Sequence, residues 1–189
     1  MAKETKQKIK INRLLEDLES GNDTKFNAAI KALQVHGDIA TIEPLVQLLL
    51  NDNLTPSNRS ALIELLSTLN LSDAPDEIMR IVKDDNYLNV RPILLSSIWN
   101  SKLDYSYFLS DFVEIAVEGD YLDTLECLTI IENLEGPFEE RHILEAQLFL
   151  RDFIESEGKI KDDRKAVLIS EIAILLKDFD LDDDIEMYE

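Results

Sequence analysis

A chain of 189 residues, 45 % of them apolar, is long enough for one domain or one short repeat array, and its composition excludes wholesale disorder. It carries 39 acidic residues against 19 basic ones, a formal net charge of −20, which disfavours nucleic acid and anionic membranes and attracts basic partners or cations. Only 5 Gly and 5 Pro argue against a fold of many short strands, and a single cysteine, Cys127, excludes an intramolecular disulfide.

Apolar residues recur at three- and four-residue intervals, and breakers cut the pattern into about ten helices. Ile11, Leu14, Leu15 and Leu18 mark the first, ended by Gly21-Asn22. Phe26, Ala29, Ile30 and Leu33 mark the second, with Asp23 or Thr24 as N-cap and Gly37 as its stop. Ile42 to Leu50 forms the third, where Pro44 sits in the first turn and its missing N–H costs little. Thr55-Pro56-Ser57 opens the fourth, which carries Ala61, Leu62, Leu65, Leu66 and Leu69. A short fifth follows Asp73-Ala74-Pro75, with Ile78, Ile81 and Val82. Val90 to Trp99 is the sixth, Tyr105 to Val117 the seventh, closed by Gly119, and Tyr121 to Leu134 the eighth, ended by Gly136-Pro137. Phe138 to Ile154 is expected as the longest helix and Val167 to Phe179 as the last. No stretch alternates with period two, so the fold is expected to be all-α.

The helices are expected to pair antiparallel, and the pairs repeat. Ala29, Ala61, Ile93 and Leu125 lie 32 residues apart, and Leu66, Ile98 and Ile130 follow the same interval. A fixed period of this size points to an α-α superhelix, a solenoid in which each hairpin buries its apolar faces on its neighbours. Within residues 25–51, Ala28, Ala29, Leu33, Gly37, Asp38, Pro44, Leu45, Leu48 and Leu49 follow one pattern: a helix with small residues, a Gly-Asp turn, and a Leu-rich helix opening near a proline. This unit resembles a HEAT repeat. The unit at 57–84 matches less, its turn being Asn70-Leu71-Ser72, and those at 89–118 and 121–155 match by spacing and apolar pattern. The resemblance implies a HEAT-like curved superhelix whose surface binds proteins or peptides. It carries over no catalytic residue.

The expected organisation is a basic N-terminal segment and capping helix over 1–22, a helical repeat domain over 23–179, and an acidic, disordered tail over 180–189. Lys3, Lys6, Lys8, Lys10 and Arg13 against Glu4 make residues 1–13 net +4. The charged start has no apolar stretch behind it and is not expected to be a signal peptide, and no run of about 18 apolar residues occurs. A soluble, cytoplasmic protein, bacterial in character, is expected.

Between Leu103 and Leu150 there are twelve acids and one base, Arg141. In a HEAT-like array the second helix of each hairpin lines the concave surface. Glu43, Asp76, Glu77, Asp111, Glu114, Glu139 and Glu140 fall on such helices and are the candidate acidic groove for a Lys/Arg-rich protein segment. Their alternative reading is as solvated helix faces. Trp99, in the most aromatic stretch with Tyr105, Tyr107 and Phe108, is a candidate aromatic anchor, core packing being the default.

Other chemistry has thinner support. His36, before Gly37, suits a helix C-terminus. His142, near Glu139, Glu140 and Glu145, outlines half of a metal site without a second motif. Cys127 reads as a small buried apolar residue, and Asp182, Asp184 and Glu186 lack the glycine of a calcium loop. There is no Gly-rich phosphate loop, no Cys-x-x-Cys and no Gly-x-Ser-x-Gly. The expectation is a non-catalytic adaptor with no cofactor and no metal, which binds a protein or peptide and neither nucleic acid nor membrane. An acidic DNA mimic that inhibits a nucleic-acid enzyme is the main alternative. A HEAT-like DNA glycosylase would need a basic groove, and a HEAT-like bilin lyase a tetrapyrrole site, and neither is marked in the residues.

Overall fold

Ten α-helices and three short 3-10 turns make up the described chain, with no strand among them. The computed structural model describes the backbone of residues 2–156 and 163–186 and the side chains of 6–156 and 164–179. It divides into two units, Met1–Leu103 and Asp104–Glu189.

The first unit holds α1 (Ala2–Glu19), α2 (Asp23–His36), α3 (Ile42–Leu49), α4 (Pro56–Ser67), α5 (Ala74–Val82) and α6 (Arg91–Trp99). The α1–α2 turn uses Gly21 at φ +68°, a left-handed backbone that glycine alone adopts without a Cβ penalty. Asn22 then caps α2, its side chain accepting from the Lys25 N–H, so the cap falls one residue before the expected Asp23 or Thr24. Thr55 caps α4 by accepting from the Asn58 N–H at 3.2 Å, with Pro56 at the first helical position. Thr55→Ala is expected to lower stability by about 1 kcal/mol in urea unfolding; no change would show that the cap is dispensable.

Helices here pack on their second neighbours as well as their first. α1 lies against α2 and α3, α3 against α4 and α5, α2 against α4, and α4 and α5 against α6. Odd helices thus meet odd helices and even meet even. The core follows from the apolar stripes: Phe26, Ile42, Leu45, Leu49, Leu62, Leu65, Ile81, Leu94 and Leu95 are all buried.

The second unit holds α7 (Leu109–Glu118), α8 (Tyr121–Asn133), α9 (Glu140–Glu155) and α10 (Asp163–Glu186). Packing on first and second neighbours recurs, with α7 on α8 and α9 and α10 on α8 and α9, and α10 also touches α7. Phe112, Leu109, Ile130, Ala146 and Ile172 fill its centre, and Cys127 is fully buried on α8. Asp120 caps α8 by accepting from the N–H groups of Leu122 and Asp123. The longest helix is α10, at 24 residues, and not α9, at 16. It extends past both expected ends and into the segment expected as a tail. The side chains of 180–189 lie outside the described residues.

The positions of the 32-residue interval, Ala29, Ala61, Ile93 and Leu125, fall on α2, α4, α6 and α8. Leu66, Ile98 and Ile130 are buried at equivalent places. Among the described residues no helix is long and apolar enough to cross a membrane.

Candidate functional site

All seven candidate carboxylates sit on or at the start of odd-numbered helices, in two separate sets. In the first unit, α3 brings Glu43 to α5, which carries Asp76 and Glu77. Arg80, one turn after Glu77, donates to Glu77 at 2.8 Å and to Glu43 at 2.8 Å. These bonds hold the Glu77 carboxyl below its usual range and the guanidinium above its own. Glu43 also accepts from the Tyr87 hydroxyl at 2.8 Å, and burial pushes that phenol up. Glu43 and Glu77 therefore tie α3, α5 and the turn at 85–90 together, and of this set only Asp76 is left exposed and outside that network. Trp99, the last residue of α6, is 41 % exposed and belongs to this unit.

The second unit carries the other set. Asp111 and Glu114 are half-buried on α7, Glu139 is the N-cap residue of α9, and Glu140 is exposed in its first turn. Glu139 accepts from the Arg141 guanidinium at 2.8 Å. Around Glu139 the fold builds something the sequence did not outline. A cavity of about 350 Å³ opens between the turn at 104–107 and the turn at 135–139. Asp104, Glu135 and Glu139 supply carboxylates to its wall, Tyr107 and Phe138 supply aromatic rings, and His142 reaches it from α9. Phe138 is steadied from behind by Phe179 of α10, with ring centroids 4.5 Å apart.

His142 is the unusual member. Its side chain is only 12 % exposed, and both ring nitrogens are buried without a hydrogen-bond partner. The nearest carboxylates, Glu139 at Nε2 and Glu145 at Nδ1, each stand 3.9 Å away, beyond hydrogen-bonding distance. Glu145 is instead held by the Ser110 hydroxyl at 3.2 Å. The Tyr107 ring meets the imidazole edge-on, 6.5 Å between centroids and 84° between planes. A buried polar group left unpaired costs about 1–3 kcal/mol, so the imidazole has an unmet demand that a bound group can satisfy.

The wall offers mostly acceptors: the carboxylates of Asp104, Glu135 and Glu139 accept only, while a neutral imidazole accepts through one nitrogen and donates through the other. Lys or Arg side chains, which only donate, match it, and the Tyr107 ring adds an aromatic surface for a cation. Among the described residues no group of three or more His, Cys, Asp or Glu side chains is arranged to hold a metal ion. Tyr107 is 59 % exposed and faces this cavity, whereas Tyr105, two residues earlier, is buried against Phe108 and Phe112. The aromatic stretch is thus core and surface by turns. Asp104, Glu135 and Phe138 were not marked in the sequence, where nothing local connects two turns about thirty residues apart. Compared with known proteins, the chain matches no family model, no curated protein and no solved structure.

Proposed function

We propose that the chain is a non-catalytic helical-repeat adaptor, HEAT-like in its hairpin stacking, that captures a Lys/Arg-rich segment of a partner protein on the acidic surface of its second unit. The observation that carries this reading is the cavity of Asp104, Glu135 and Glu139, where His142 has two buried, unpaired nitrogens. The repeat reading is supported by odd-on-odd and even-on-even packing within each unit and by the 32-residue interval on the even helices. A net charge of −20 favours encounter with a basic segment, and the cavity gives that encounter one defined anchor point.

A fluorescein-labelled Lys/Arg-rich peptide is expected to bind the full chain saturably in an anisotropy titration. The double variant Glu135→Lys/Glu139→Lys is expected to weaken it about tenfold or more, the equivalent of about 1.4 kcal/mol per decade. Glu139 also loses its exposed pair with Arg141, a contact that contributes little to stability, so the fold is expected to survive. Affinity is expected to fall as salt rises, since exposed charges are screened beyond a Debye length of about 10 Å at 0.1 M. Equal affinity for the double variant and the unmodified chain would overturn the reading.

The run of twelve acids with one base also favours a second reading, an acidic mimic that occupies the nucleic-acid site of a basic enzyme. Enzyme assay separates the two. A mimic suppresses the activity of its basic nucleic-acid enzyme by occupying the DNA site, whereas a segment captured at the cavity is released by Glu135→Lys/Glu139→Lys with that activity unaffected.

A further inference from the structure

We propose that the groove between α9 and α10 is a docking site for an acidic amphipathic helix of a partner protein, distinct from the acidic cavity. Of the large apolar side chains exposed in the second unit, Leu144, Leu148, Ile154, Val167 and Ile174 all lie on these two helices. Two others, Tyr107 and Leu122, lie elsewhere in the unit, and of the five it is Ile154 that lines the groove itself.

The groove has a defined shape. It encloses about 300 Å³ over a floor of Leu150, Ala173 and Leu176, and Ile154 stands at its edge, 63 % exposed. Leu150 and Leu176 also belong to the buried core, so the floor is rigid, and Ala173 leaves room where a larger side chain would fill the trough. Leu144 and Leu148 precede Arg151 along one stripe of α9, and Ile174 lies one turn before Lys177 on α10. A trough between two helices accepts the ridge of a third, with anchors at i, i+3 or i+4, and i+7.

Charge selects the occupant. Arg151 of α9 and Lys177 of α10 line the groove, and neither makes an ion pair among the described residues. Glu155 shares the lining, so two cations against one carboxylate leave it at +1, in a chain whose net charge is −20. A helix with an apolar stripe and flanking carboxylates would bury the stripe on Ile154 and the floor and pair its acids with Arg151 and Lys177. A second copy fits poorly, because its own groove would set Arg151 and Lys177 against the same two cations and offer them only Glu155 as a carboxylate.

The test uses the full chain and a labelled helical peptide with Leu at i, i+4 and i+7 and Glu on both flanks. Its counterpart carries Lys in place of Glu, and both are titrated in the Glu135→Lys/Glu139→Lys background so that the cavity cannot capture the basic peptide. The acidic peptide is expected to bind at least about tenfold more tightly than the basic one. Ile154→Lys should abolish its binding, and Arg151→Glu/Lys177→Glu should reverse the preference. These three side chains are exposed, so circular dichroism is expected to be unchanged in each variant. Equal binding of both peptides, no binding of either, or binding indifferent to Ile154→Lys would overturn the proposal. So would sedimentation showing that the groove is covered by a second copy. Because the background already lacks the acidic cavity, failure here leaves the basic-segment reading standing, and failure there leaves this one.

Discussion

Replacing Phe112 with alanine is expected to cost about 3–5 kcal/mol of stability. Phe112 is completely buried in the middle of α7, the helix that packs on α8, α9 and α10 alike. Its ring sits 6.4 Å from that of Tyr105, tilted by 53°, so truncation removes both burial and an aromatic contact. A close-packed centre relaxes only partly around the void, and the cavity adds to the lost transfer energy. Since a domain's whole stability is about 5–15 kcal/mol, the variant should unfold at clearly lower urea with little change in slope. A loss below about 1 kcal/mol would mean that the ring is not enclosed as described.

The helical scaffold was legible because burial leaves a periodic trace. Leu62, Leu65 and Leu66 on α4, or Ile78, Ile81 and Val82 on α5, sit at helical spacing because one stripe faces the core. α10 runs beyond Val167 and Phe179 at both ends, into charged sequence that shows no apolar period: Asp163, Arg164 and Lys165 before it, and Asp180, Asp182, Asp183 and Asp184 after it. The short 3-10 turns at Ile39–Thr41, Asp85–Val90 and Ser106–Phe108 left no trace either, being too brief to show a period. Asn22, and not Asp23 or Thr24, is the cap because Gly21 turns the chain one residue earlier than those two positions require.

The acidic polarisation of the second unit was equally legible, but its partners were not. Glu77 and Arg80 are three apart on one helix, a pairing readable from spacing. The bond from Arg80 to Glu43, 37 positions away, appears only once α3 lies on α5, and it removes two of the candidate carboxylates from an open groove. His142 shows the converse. Its spacing from Glu139 and Glu145 was visible, but not that both ring nitrogens would be buried without a hydrogen bond, 3.9 Å from those carboxylates. Tyr107 and Tyr105 differ in burial because Tyr107 sits within the 3-10 turn Ser106–Phe108 and Tyr105 just before it, so the turn points one side chain out and leaves the other in.

Lys165→Met is expected to lower stability by about 2 kcal/mol. From the first turns of α10, the Lys165 ammonium donates to the carbonyls of Val117 at 2.9 Å and Gly119 at 2.6 Å. Those carbonyls close α7, where the last turn has no intrahelical donors and the helix dipole favours a cation. The turn cannot easily rearrange to compensate: a Cβ on Gly119 would stand 2.5 Å from the Asp123 carboxylate and 2.8 Å from the Ile115 carbonyl. Methionine keeps the length of the stem and its contact with Phe153, whose ring centre lies 5.3 Å from the ammonium, but it leaves both carbonyls unpaired. The pH dependence carries a second signature. Burial pushes the Lys165 amine below 10.5, with Asp120 and Asp123 opposing the shift. In the window just below 10.5 the unfolded chain holds more of this proton than the folded chain does, so stability rises with pH there. The stability gap between the unmodified chain and Lys165→Met should therefore widen as pH climbs from about 8 towards 10 in urea titrations. A gap that stays flat or narrows would show that the amine is solvated, and that the junction between α7 and α8 is held by Asp120 and the Gly119 turn alone.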